Sequence, residues 1–211
     1  VTTTRDRILD ATSELFRRQG YTGTGVKQIV AAASAPFGSV YHHFPGGKEQ
    51  LGEEVIRFSG AMYGRLIGAF YDPAPDPVTA TRNFFAAAAE TLRQTDYADA
   101  CPIATIALEV ASTSEPLRQA THDVFEGWLA ECAQRMEAHG VAPAKAREVA
   151  IALVALLEGA FLLSRAAKST EAMAVTGEAA AGLVGAALVE AALVEAARPR
   201  PKPRKPARHR P

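Results

Sequence analysis

The segment APFGSVYHHFPGGKEQL, residues 35–51, gathers two prolines, two phenylalanines, a tyrosine, two histidines and a lysine around three glycines. A core segment has no use for paired histidines, and a surface loop has no use for the aromatics. A helical wheel over residues 36–44, at about 100° per residue, sorts them. Val40 and Phe44 share one arc with Phe37 and Tyr41 beside them, while Gly38, Ser39 and His42 occupy the opposite arc. One side suits packing. The other presents bare backbone, a hydroxyl and an imidazole.

The flanking sequence is helical in its punctuation. A first helix is expected from about Thr4 to Gln19, with Ile8, Leu15 and Phe16 inward and Gly20 as its stop. Thr24 is placed to cap a second helix whose Val26, Ile29, Val30 and Ala33 follow the i, i+3, i+4, i+7 rule. After the turn SAP, Pro36 suits the first position of a third, short helix that runs to Phe44. Two helices joined by a tight turn, the second small and glycine-bearing, read as a helix-turn-helix.

These residues carry a resemblance. TRDRILDATSELFRRQGYTGTGVKQIVAAASAPFGSVYHHFPGGKEQL, with its F…GY pair and GSVYHHF, resembles the N-terminal domain of the TetR family of bacterial transcriptional repressors. PGGKEQL together with CPIATIALE at 101–109 is similar to the LmrA/YxaF-like subgroup. The resemblance implies that Gly38 and Ser39 face the major groove and that Tyr41 and His42 bond backbone phosphates. It implies phosphate contacts for Thr24 and Lys48 as well, with Pro36, Lys27 and Gln28 as further candidates. An exposed helix face explains Lys27 and Gln28 almost as well, and His43 and Phe44 read as packed residues. Phe37 departs from the subgroup, which more usually has lysine there. Its ring either lies against a thymine methyl or covers the helix-turn-helix core, and its wheel position beside Phe44 favours the core.

The rest of the chain is helical too. It lacks alternating Val/Ile/Thr runs and tight hairpin turns, so strands are not expected. A long fourth helix starts at Lys48, with Leu51, Val55, Phe58, Met62 and Leu66 along one side. Asp76-Pro77, Cys101-Pro102, Ser114 and Pro143 open four more, ending near Gln94, before Ser114, at His139-Gly140 and near Lys168. A ninth covers about 171–197. The expectation is an all-α protein of about nine helices: a DNA-binding unit over 1–47, a ligand-binding and dimerisation unit over 48–197, and a tail over 198–211. The tail, RPRPKPRKPARHRP, alternates proline with positive charge and is expected to be extended and disordered.

Charge follows the same division. Formal net charge is +0 overall, made of a mildly basic 1–50, an acidic 51–197 and a strongly basic tail. Cys101 and Cys132 form no recognisable disulfide or metal framework. No signal peptide opens the chain, and glutamates interrupt its most apolar stretches, so the expectation is a cytoplasmic protein without a membrane span. No metal or cofactor is expected. His42 and His43 diverge by about 100° on a helix, and His122 with Glu126 reads as an exposed i, i+4 pair.

The ninth helix holds eleven alanines and three glycines over 172–197, and Leu183, Ala187, Ala191 and Val194 form a stripe on it. The eighth is apolar around most of its circumference. Through the resemblance, helices eight and nine become candidates for a homodimer interface. Met62, Phe84, Phe85, Phe125, Trp128 and Phe161 are the large residues available to line a cavity for an apolar or aromatic effector. The composite expectation is a ligand-responsive repressor of palindromic operator DNA. The rivals are a sensor or carrier with weakened DNA binding, and a salt-sensitive binder of any duplex acting through its tail. An enzyme is disfavoured, because no nucleophile elbow, phosphate loop or zinc-protease motif occurs.

Overall fold

The computed structural model describes residues 3–197; the tail expected over 198–211 lies outside the described residues. Within them the chain forms nine helices and no strand: α1 (Thr4–Gln19), α2 (Val26–Ala32), α3 (Ser39–His43), α4 (Gly47–Tyr71), α5 (Pro77–Gln94), α6 (Pro102–Val110), α7 (Glu115–Glu137), α8 (Pro143–Ala167) and α9 (Glu171–Ala196). The all-α expectation holds.

Local chemistry sets most boundaries. The Asp76 carboxylate accepts the Thr79 N–H at 2.8 Å with Pro77 at the first helical position, and the Ser114 hydroxyl accepts the Leu117 N–H at 3.4 Å. Each cap satisfies a donor that the helix itself cannot pair. Gly20 ends α1 at φ 76°, and a Cβ there would stand 1.8 Å from Glu109 Oε1. That site needs glycine twice over, for its left-handed backbone and for the close carboxylate.

Two expected starts are corrected. Thr24 does not cap α2: its hydroxyl turns back to donate to the Gly20 carbonyl at 2.7 Å, and Gly25 is the N-cap, its N–H bonded to the Gln28 side chain. Pro36 is not the first residue of α3. Its carbonyl accepts the Ser39 N–H at 2.9 Å in a tight turn, so Gly38 becomes the N-cap and the helix has five residues.

Two cores result. In the first, Ile8, Phe16, Ile29, Val40, Phe44 and Leu51 are fully buried, and Ile103, Ile106 and Leu117 from α6 and α7 join them. The expected unit over 1–47 therefore shares its core with residues well beyond it. The second core lies among α5, α7, α8 and α9 and the C-terminal half of α4. The helix α4 runs through both.

The expected stripe of α4 holds at its start, where Leu51 and Val55 are buried, and fails beyond it. Phe58, Met62 and Leu66 are exposed, and the inward face continues through Ile56, Ser59, Gly60, Gly64 and Ile67. A Cβ on Gly60 would come within 2.5 Å of Val124, so the glycines let α7 lie against the α4 backbone. On α9 the expected stripe is likewise divided. Ala187 is buried with Met173, Gly177, Ala180 and Val184, whereas Val175, Leu183, Val189 and Leu193 face outward. On α8, Ile151, Leu162 and Leu163 face outward too. By length and composition alone α8 and α9 would each suit a membrane span, with mean hydropathy 1.9 and 1.7. The sequence expectation of no span rested on their glutamates.

Candidate DNA-reading turn and effector cavity

The turn and helix over 36–44 separate into the two faces that the wheel anticipates, with two exceptions. Val40 and Phe44 are fully buried, anchoring the element against α1 and α4. Gly38, Tyr41 and His42 are exposed and Ser39 is half-buried. Phe37 and Tyr41, which the wheel sets beside the packed arc, are the exceptions. They are 53 % and 52 % exposed, outside the core, with their rings 6.4 Å apart. The core-covering reading of Phe37 fails because residues 37 and 38 belong to the turn rather than the helix, so the wheel angle does not apply.

A single surface thus displays a phenyl ring, a bare Cα, a hydroxyl, a phenol and an imidazole. No atom lies within 4 Å of where a Gly38 Cβ would stand, so the backbone there is open to close approach. Lys27, Gln28 and Pro36 are exposed as well. Thr24 is fully buried and its hydroxyl is committed to Gly20, which leaves its side chain no surface to offer.

Lys48 sits in the first turn of α4 and is half-buried, its ammonium 4.2 Å above the Tyr21 ring centre. Burial pulls its pKa below the ordinary lysine value, and the nearby Glu109 partly offsets that. Glu109 also accepts the Thr22 N–H at 2.6 Å, tying α6 to the loop between α1 and α2.

Along α4 from Lys48 lies a cavity of about 350 Å³ bounded by α4, α5, α7 and α8. Phe84, Phe85, Trp128 and Phe161 line it as expected. Met62 and Phe125 do not. Met62 is on the outward side of α4, and Phe125 packs toward the first core with its ring 5.6 Å from Trp128. Trp128 donates its indole N–H to the Gly60 carbonyl at 2.9 Å, fixing the ring in the wall.

Sequence reasoning missed the polar end of this cavity, built by Arg17, Tyr63, Asp99, Cys101 and Glu158. Arg17, on α1, forms an ion pair with Asp99. Glu158 accepts a hydrogen bond from the Cys101 thiol; burial pushes its carboxyl up to about 7, and the thiol contact only partly counters this. The Cys101 thiol is itself raised well above its ordinary value, first by burial and then by Glu158. A lone acid in the apolar run IALVALLEGAFLL was the available signal. No group of three or more potential metal ligands occurs among the described residues.

Comparison with known proteins agrees with this geometry. Residues 8–55 match the family model for bacterial regulatory proteins of the tetR family, and residues 77–179 match that for the LmrA/YxaF-like transcriptional regulator C-terminal domain. The Bacillus subtilis regulator YxaF is 35 % identical over 174 residues, covering 82 % of this chain and 91 % of that protein. The LmrA regulator of the same organism is 34 % identical, over 79 % and 88 % of the two chains. In fold, a TetR regulatory protein of Rhodobacter sphaeroides superposes with a TM-score of 0.74 at 24 % identity, over 84 % of this chain and 96 % of that one. With residues 8–55 and 77–179 accounted for by one family's models and with relatives matched over most of their length, the chain belongs to the TetR family of bacterial transcriptional regulators.

Proposed function

We propose that this regulator is a cytoplasmic homodimeric repressor that binds palindromic operator DNA and is released from it by an apolar or aromatic small molecule. Residues 1–47 supply the DNA-reading unit and residues 48–197 the effector and dimer unit. The observation that carries this reading is the course of α4, which has Lys48 in its first turn and Tyr63, Leu66, Ile67 and Phe70 in the cavity wall. One rigid helix therefore spans the DNA-facing end and the cavity.

On the DNA side, Gly38 and Ser39 approach base edges while Tyr41, His42 and Lys48 hold phosphates. Lys27, Gln28 and Pro36 stand at the margin of the same surface. Thr24 is left out because its side chain is buried. Phe37 faces outward and supplies an apolar contact suited to a thymine methyl. One helical turn makes too few base contacts for specificity, so two copies are needed, reading half-sites about 34–36 Å apart or multiples of that.

The outward apolar residues Ile151 and Leu162 of α8 and Val175, Leu183, Val189 and Leu193 of α9 support a self-complementary four-helix interface. A patch of this kind is otherwise a liability in water.

Release follows if the effector binds better to a conformation in which α4 has shifted. Only that differential affinity can move the equilibrium, and coupling of about 1–3 kcal/mol is typical. A second route runs through α6 and the segment before it, since Asp99 holds α1 and Glu109 holds the loop that follows α1.

The test joins sedimentation with footprinting on a duplex selected from a random pool. The wild-type chain should sediment as a dimer and protect one palindrome. Leu193→Glu, which puts a charge in the proposed interface, should give monomers and lose specific protection by at least about a hundredfold. A wild-type monomer, or a monomeric variant with unchanged footprint, would refute the dimer reading.

A further inference from the structure

We propose that the effector is a monocationic amine on an apolar or aromatic body, its ammonium held at the end of the cavity where Glu158, Asp99 and Tyr63 converge. This rests on the cavity being the effector site, and it goes further by fixing the chemistry of the occupant.

The argument begins with charge. Among the residues lining the cavity there are two carboxylates, Asp99 and Glu158, and one cation, Arg17. Arg17 already serves Asp99 through its ion pair, and Glu14 on its own helix as well. With both acids ionised the end therefore carries one uncompensated negative charge.

Hydrogen bonding points the same way. Asp99 is buried, and its Oδ1 has no hydrogen-bond partner, although the other carboxylate oxygen faces Arg17. Glu158 has only the weak thiol donor of Cys101. Tyr63, half-buried in the α4 wall, takes part in no hydrogen bond among the described residues; burial raises its phenol's pKa and the charge of Arg17 partly counters this. A buried acceptor left unpaired, as Asp99 Oδ1 is, carries an uncompensated desolvation cost. The missing group is a donor with positive charge.

The remaining wall sets the body of the ligand. Phe70, Phe84, Phe85, Trp128 and Phe161 line the same cavity. Their rings offer apolar area and, from Trp128, a face that attracts cations. An anionic ligand would meet two carboxylates with the sole guanidinium already engaged. A neutral alcohol would satisfy an acceptor but leave the charge standing.

Binding also has a proton signature. Glu158 is partly protonated near neutral pH because of its burial, and an ammonium beside it drives that proton off. The groups facing it at this end are Arg17 from α1, Tyr63 from α4, Asp99 and Cys101 before α6, and no histidine lines the cavity.

The chain's one tryptophan lies in the wall, so its fluorescence reports occupancy directly. We would titrate the intact protein with 4-phenylbutylamine, 4-phenylbutanol and 4-phenylbutanoate, and measure each compound's effect on operator binding in parallel. The amine should bind at least about tenfold more tightly than the alcohol, as expected of a charge-assisted hydrogen bond, with the carboxylate weakest. Its binding should release protons, seen as a buffer-dependent heat. Glu158→Gln should abolish both the preference for the amine over the alcohol and the proton release. Equal affinities, a preference for the carboxylate, or a preference surviving Glu158→Gln would overturn the amine assignment. The wild-type order alone decides if the variant misfolds. If all three compounds bind alike and release DNA, the effector site stands and only its chemistry is wrong. If the amine binds selectively but operator affinity does not move, the assignment stands and the release mechanism falls. If none binds, both fall.

Discussion

The two cores of this molecule are built on opposite terms. Around α1, α2 and α3 the interior is solid, with Ile8, Phe16, Ile29, Val40 and Phe44 fully buried. Between α4, α5, α7 and α8 the interior encloses about 350 Å³ and includes two carboxylates. A close-packed core holds one shape, because each side chain fixes its neighbours. A core with a hole in it retains room to rearrange, and polar groups in that hole need something to pair with. On the proposed function, the contrast separates the part that reads from the part that senses. The helices α4 and α7 contribute residues to both regions, and on the proposed function they are where one informs the other.

The largest test of this contrast is to truncate one phenylalanine on each side. Phe44→Ala should destabilise the chain by about 4 kcal/mol in denaturant unfolding, the usual cost of a void in a packed interior. Phe161→Ala only enlarges an existing cavity and should cost less than half of that. Equal losses would mean the second core is as tightly determined as the first.

Next in size is a pH effect confined to the cavity. Glu158 has a folded value of about 7 against an ordinary 4.5. Between those values the folded chain holds this proton more firmly than the unfolded chain does. Its contribution to stability is therefore full below about pH 4.5 and is lost as pH rises through about 7. Glu158→Gln should stabilise the protein by up to about 3 kcal/mol at about pH 8 and by nearly nothing at about pH 4.5, followed by thermal unfolding at each pH. A pH-independent difference would contradict the burial of that carboxyl.

The smallest expected effect concerns Phe37. Its exposure predicts that Phe37→Ala changes thermal stability by under about 0.5 kcal/mol. At one base pair of a selected operator, discrimination should fall by about 1–2 kcal/mol. A large fall in stability with unchanged base preference would return the ring to the core.

These regions also differ in how legible they were. Helix ends written by local chemistry, at Asp76-Pro77, Cys101-Pro102, Ser114 and Pro143, fall where the sequence places them, since a cap needs only its own few residues. The reading of Phe37 failed for a local reason as well. A wheel presumes helix, and Pro36 begins a turn instead. Thr24 misled because a hydroxyl that precedes a helix has a second option, the carbonyl four residues back.

Tertiary choices were harder to see. The α4 stripe through Phe58 and Met62 looks inward by hydrophobicity, yet the glycines won because they allow α7 closer approach. In α9 nearly every residue is small or apolar, so pattern alone does not separate Ala187, which is buried, from Val189, which is not. A cavity is harder still. It exists where side chains from four helices fail to meet, and no single segment encodes that. Four of the six aromatic and methionine candidates line it, while its polar end required Arg17 from α1 to meet Asp99 and Glu158 from far along the chain.

The central claim is that cavity occupancy and DNA binding oppose one another through α4, and thermodynamic reciprocity gives its sharpest test. The affinity of a cavity probe, read from Trp128 fluorescence, should be measured with the protein free and with it saturated by operator duplex. The account predicts weaker probe binding on the DNA-bound protein, by the same factor of about 5–150 through which the probe weakens DNA binding. Identical probe affinities in the two states would show that the helix joins the sites without coupling them.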